Sequence, residues 1–189
     1  FRLEEPAFSQ MTELVAALKA QIAEPPPLPT YLLGHSFGAL LTYALAWELR
    51  DHAWLRGLGI SALRVPSAES QERYEKIRGL SDHELLVEIE KYSELPEVVK
   101  TQPAMLNLTM SALRSDFAIM ASFHNPYAQQ KLEIPSLIFG GTKDPQVSLE
   151  DLSLWQNYVT TRQAPQLYDG DHFYIFAQMP KVLNELLLL

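Results

Sequence analysis

The sequence predicts an α/β protein built on a mostly parallel sheet with flanking helices and an inserted helical block. Three observations predict it. Short β-prone runs bounded by Gly or Pro alternate with segments of helical period at both ends of the chain, which is how strands joined by crossover helices are written. Residues 64–125, by contrast, carry no strand pattern. Finally, the polar residues with chemical potential follow predicted strands, at the end of a parallel sheet where ligands bind. The expected organisation is a core formed by residues 1–63 and 126–189, with 64–125 as a helical lid.

In chain order, Phe8, Met11, Leu14, Val15, Leu18 and Ile22 recur at helical spacing and predict a helix stopped by the run Pro25-Pro26-Pro27-Leu28-Pro29. Thr30 to Leu33 reads as a strand, and Phe37 to Arg50, rich in Ala and Leu, as a helix. Leu58-Gly59-Ile60-Ser61 reads as a second buried strand. In the block that follows, the alternating charges from Glu69 to Arg78 suit a solvated helix face. Ser81-Asp82-His83-Glu84 is a capping box opening a helix with Leu85, Leu86, Ile89 and Tyr92 on its apolar side. A further helix is expected from Pro103 to Phe123. The sheet pattern resumes at Ser136 to Gly140. Ser148 caps a helix expected to run towards Val159, Gln166 to Tyr168 is a last strand, and Phe173 to Leu189 closes the chain as a helix.

Composition narrows function. Of 189 residues, 47% are apolar and 20% charged, enough for a buried core and too few charges for a disordered chain. A formal charge of −8 argues against a nucleic-acid binder, which needs a basic face. The absence of cysteine excludes disulfide scaffolds, thiolate-ligated metals and thiol catalysis. No apolar run reaches the length of a membrane span, and the first residues lack the pattern of a secretory signal, so the expectation is a cytoplasmic protein without membrane partners.

Gly34-His35-Ser36-Phe37-Gly38 is a G-x-S-x-G pattern between a predicted strand and a predicted helix, the context of a nucleophile elbow. The turn is tight enough that both glycines are expected to be needed, and the helix N-terminus aims backbone N–H groups at any oxyanion formed beside Ser36. A serine nucleophile requires a histidine base and a carboxylate to orient it, in the chain order Ser, acid, His. Of five histidines, His172 alone follows a late predicted strand. Asp144, at the end of the Ser136–Gly140 strand, is the preferred acid. Asp169 and Asp171 are expected to serve the loop, and Asp116 to lie on a solvated helix face. Gly57-Leu58-Gly59 lacks the third glycine of a dinucleotide fingerprint, no phosphate-binding loop occurs, and His83-Glu84 has no second histidine for zinc. No cofactor or metal is expected.

These motifs, with Arg2-Leu3-Glu4-Glu5-Pro6, Ser61 to Pro66, Leu113-Arg114-Ser115-Asp116-Phe117, Gly140 to Val147 and Gly170-Asp171-His172-Phe173-Tyr174, resemble the α/β-hydrolase superfamily. Within it they resemble the type II thioesterases that edit polyketide and nonribosomal peptide synthesis. The resemblance implies hydrolysis of stalled or mis-primed acyl groups from the phosphopantetheine arm of an acyl or peptidyl carrier protein, in antibiotic-type biosynthesis. It implies a catalytic triad of Ser36, Asp144 and His172, with the Phe37 backbone N–H as one oxyanion donor. Family members also carry N-terminal strands and a glycine-containing loop that supplies the second donor, whereas residues 1–29 alone precede the elbow strand here. The core is therefore expected to be N-terminally incomplete and the natural protein longer. Two rival readings use the same residues: a carboxylesterase or acyltransferase acting on oxygen esters, and a non-catalytic binding module of the same fold.

Overall fold

The computed structural model describes residues 7–22, 26, 28–92 and 95–189. The Arg2–Pro6 motif, Pro25 and Pro27 lie outside the described residues. Element order is α1 (Met11–Gln21), β1 (Thr30–His35), α2 (Phe37–Leu49), β2 (Leu55–Ser61), α3 (Ala68–Arg78), α4 (Asp82–Glu90), α5 (Glu97–Thr101), α6 (Pro103–Ser122), β3 (Leu132–Gly141), α7 (Leu149–Ser153), β4 (Val159–Thr161), β5 (Gln166–Tyr168) and α8 (Ile175–Leu187).

All the strand pairings are parallel. The order is β1-β2-β3, and both β4 and β5 pair with the edge of β3 opposite β2, β4 along its first half and β5 along its last. Register places His35 beside Ser61 and Ser61 beside Phe139, so the strands end at a common level. The functional candidates all lie just beyond that level.

The side-chain alternation of the strands divides the core. Leu58, Ile60 and Ile138 face the large cluster built with α1 and α2, whereas Leu137 and Phe139 face Ile175 and Val182 on α8. Gly57 and Gly59 fall on the α8 side. A Cβ at Gly57 would stand 2.8 Å from Leu189 and from Tyr31, and one at Gly59 would stand 2.5 Å from Leu33 and 3.4 Å from Leu186. These glycines let the last helix and the β1 side chains close over β2, which is their use in place of nucleotide binding.

Residues between β2 and β3 fold into the four helices α3 to α6. Capping boxes at Ser67 and Ser81 start α3 and α4. α4 stops at Glu90, short of Tyr92, which instead turns in towards the carboxyl end of the sheet. The segment after Ser148 also departs from expectation. Its helix ends at Ser153 and passes through a 3₁₀ turn (Leu154–Asn157) into β4. Trp155 is fully buried with its indole N–H donating to the Leu63 carbonyl at 2.7 Å, which ties this turn to the end of β2. The β-branched run Val159-Thr160-Thr161 then pairs with β3. Among the described residues no helix is long and apolar enough to cross a membrane.

Candidate active site

Ser36 joins β1 to α2 with φ 53° and ψ −122°, a conformation that non-glycine residues adopt at a cost. Its own N–H donates to the Ser61 carbonyl at 2.8 Å, fastening the elbow to the neighbouring strand. The two glycines of the motif differ in their reasons for being there. A Cβ at Gly34 would sit 2.0 Å from the Gly38 carbonyl oxygen, so any side chain there collides with fixed backbone. A Cβ at Gly38 would meet nothing within 4 Å. The expectation that bulk is excluded at both positions is thus corrected at Gly38, which faces open space in a cavity. The first turn of α2 has no intrahelical acceptors for its N–H groups, which leaves the Phe37 N–H available beside Ser36.

Ser36, His172 and Asp144 come together from three separate strand ends. His172 Nε2 lies 3.0 Å from Ser36 Oγ, and His172 Nδ1 lies 2.8 Å from Asp144 Oδ2. The acid side chain is fully buried and the imidazole nearly so. Asp144 Oδ1 accepts from the N–H groups of Gln146 and Val147 at 2.8 and 3.2 Å. The carboxylate therefore closes its own turn and still presents one oxygen to the histidine. That arrangement favours the tautomer in which Nδ1–H donates to Asp144 and bare Nε2 accepts from Ser36 Oγ–H. The remaining acids serve the loop: Asp169 pairs with Lys143, and Asp171 accepts from the Phe173 N–H.

A second polar chain runs beside the first. His35 Nδ1 is 2.9 Å from Ser61 Oγ, which is 2.6 Å from the Tyr174 hydroxyl. Burial, reinforced by the neighbouring His172 and opposed by Asp144, lowers the His35 pKa to about 4. His35 is therefore neutral at pH 7. Ser61 is a serine near the base, but its hydroxyl is buried in this chain, away from His172 Nε2.

Above Ser36 and His172 opens a largely apolar cavity of about 320 Å³, lined on the lid side by Tyr74, Ile89, Tyr92, Leu113, Asp116, Phe117 and Met120. Of the α6 residues at helical spacing, Leu113, Phe117 and Met120 line it, while Leu106 and Met110 pack into the core. Lid and acid loop are joined: Arg73 donates to the Gln146 side chain and to the Tyr92 hydroxyl, Arg64 donates to the Gln146 carbonyl, and the Tyr92 ring stands edge-on to His172. Tyr92, Arg73 and Gln146 escape a reading for active-site residues because nothing in local spacing marks a group that arrives from a separate helix.

Asp116 corrects an expectation. It is half-buried against this cavity instead of lying on a solvated face, and burial raises its pKa to about 6. Among the described residues no cluster of His, Asp and Glu has the arrangement to hold a metal ion.

Fold and site together define an α/β-hydrolase with a serine, histidine and aspartate at the carboxyl end of its sheet. More narrowly, the chain belongs to the thioesterase domain family, whose model matches residues 2–187. It is 30% identical over 156 residues to thioesterase PikA5 of Streptomyces venezuelae, covering 81% of this chain and 54% of that protein. It is 25% identical over 177 residues to the gramicidin S biosynthesis protein GrsT of Aneurinibacillus migulanus, covering 91% and 67%. The solved structure of RedJ, a thioesterase from the prodiginine pathway of Streptomyces coelicolor, superposes with a TM-score of 0.80 at 26% identity, covering all of this chain and 71% of that one. The chain thus spans from about half to about seven-tenths of these relatives.

Two expectations follow. Gly34→Ala should abolish the folded elbow, because its Cβ meets the fixed Gly38 backbone as well as the Thr42 hydroxyl, whereas Gly38→Ala should keep a stability within about 1 kcal/mol of the parent. Equal thermal stability of the two variants would contradict the geometry. Asp116→Asn should stabilise the protein. A carboxyl whose folded pKa lies above its unfolded value loses stability as pH rises from about 3.8 through 6, so the gain should be absent below about pH 3 and complete above about pH 7. Allowing for partial exposure, it should reach about 1–2 kcal/mol in urea titrations.

Proposed function

We propose that this protein hydrolyses acyl thioesters carried on the phosphopantetheine arm of acyl or peptidyl carrier proteins, through an acyl-enzyme on Ser36. The observation that carries the reading is the continuous hydrogen-bonded line Ser36–His172–Asp144 at the floor of a largely apolar cavity. Membership of the thioesterase domain family supports the substrate class, as does similarity to thioesterase PikA5 and to a gramicidin S biosynthesis protein.

In the first half-reaction Ser36 Oγ attacks the thioester carbonyl while His172 Nε2 takes its proton, and Asp144 steadies the imidazolium. The Phe37 N–H, backed by the positive end of α2, meets the charge that develops on the carbonyl oxygen. The proton on His172 passes to the departing pantetheine sulfur, and the acyl group remains on Ser36 with its chain in the chamber. In the second half, water gives a proton to His172 and attacks the ester. The collapsing intermediate returns the proton to Ser36 and releases the carboxylic acid. The site needs no cofactor, since the carrier brings the pantetheine. We place the reaction in the cytoplasm, where carrier-bound intermediates are made.

Asp144→Asn separates this mechanism from a merely structural role for the acid. The Asn carbonyl can still accept from Gln146 and Val147, but its amide would then donate to His172 Nδ1 and force the wrong tautomer. Intact-mass measurement of an acylated carrier protein incubated with full-length enzyme should show loss of the acyl mass with the parent. Ser36→Ala should show none, and Asp144→Asn a rate lowered by about 10³–10⁴. Cleavage by Ser36→Ala at the parent rate would refute the reading, and activity confined to oxygen esters would transfer it to the esterases.

A further inference from the structure

The ionisable side chains that line the chamber are nearly all occupied. Arg64 is held by Asp151 and by the Gln146 carbonyl. Arg73 is held by Glu88, Tyr92 and the Gln146 side chain. His172 is held by Asp144 and Ser36, and His35 by Ser61 through Nδ1, its buried Nε2 having no partner. Asp116 is different. Among the described residues no group donates to its carboxylate or pairs with it, and burial is the one influence on its ionisation.

Its neighbours sharpen the contrast. On α6, Leu113 and Met120 lie three and four residues away and Phe117 is the next residue, and all three line the same cavity, so the carboxylate stands on an otherwise apolar face of this helix. A carboxylate that has lost part of its hydration and gained no donor is a standing cost to the fold. A purely alkyl chain entering the chamber would displace the remaining water and deepen that cost. An acyl group ending in a cation would remove it, and the cations already on the lining have partners and so offer less opposition.

We propose that Asp116 is a specificity-determining residue of the acyl chamber, selecting acyl groups that carry a protonated amine remote from the thioester over alkyl groups of equal length. The same carboxylate disfavours acyl groups that carry an anion. The inference rests on the thioesterase reading for its reaction, but the recognition it describes is a binding property and can be measured without turnover.

The test compares 6-aminohexanoyl and heptanoyl thioesters of N-acetylcysteamine, which differ in a terminal ammonium against a methyl, on full-length parent and Asp116→Asn. The substitution keeps the shape of the side chain and removes its charge. The ratio of kcat/KM for the amino over the alkyl substrate should fall at least tenfold in the variant, equivalent to about 1.4 kcal/mol of lost discrimination. An unchanged ratio would overturn the proposal. So would an equal preference by the parent for the neutral 6-hydroxyhexanoyl thioester, since charge would then not be what is read. Calorimetric binding of the corresponding non-cleavable amides supplies the second arm. If neither thioester is turned over, the hydrolytic reading fails for these substrates. The amides still decide the role of Asp116, through a parent preference for the amine that Asp116→Asn loses, or through its absence.

Discussion

Everything at this site depends on holding Ser36 in a backbone conformation it would not choose. A residue with a side chain at φ 53° costs on the order of 1–3 kcal/mol, and the surrounding structure must over-determine it. Three features do so. The Ser36 N–H is bonded to the carbonyl of Ser61 on the adjacent strand. Gly34 lets the Gly38 carbonyl approach where no Cβ could stand. The helix that follows buries Ala39, Leu40, Tyr43 and Ala46 in the core, so its first turn cannot drift. The strain places the hydroxyl beyond the sheet, beside free N–H groups, within reach of an imidazole that arrives from 136 residues further on.

The second dependence runs from the lid to the base. Asp144 is fixed by two backbone N–H groups of its own loop, and that loop is gripped through Gln146 by Arg73 and Arg64, which sit between β2 and the end of α3. Tyr92 completes the path by packing its ring against His172 while its hydroxyl accepts from Arg73. Covering the chamber and orienting the acid are thus one construction. The shape of the chamber and the geometry of Ser36, His172 and Asp144 are coupled through a few polar contacts.

Much of this was legible in the sequence because it is written locally. The elbow motif, the capping boxes at Ser81 and Ser148, and the apolar strand cores each depend on residues close together in the chain. The chain order of serine, acid and histidine could be checked against the elbow without knowing any contact. What escaped is what depends on long-range packing. β4 was hidden because the capping box at Ser148 starts a helix that Trp155, anchored on Leu63, brings to an early end. Gly57 and Gly59 read as a failed nucleotide motif until α8 is seen lying over them. Asp116 has the local surroundings of an exposed helical position, and the burial that sets its ionisation comes from the lid closing over the sheet.

Ser36 Oγ is the atom proposed to carry the acyl group. The most direct measurement is acid quenching of the full-length enzyme during turnover of an acyl thioester, followed by peptide mass mapping. It should find the acyl mass on the peptide containing Ser36, lost in Ser36→Ala and accumulating in a His172→Ala variant only far more slowly. Turnover with no adduct at Ser36, or with the acyl group trapped on another residue, would contradict it.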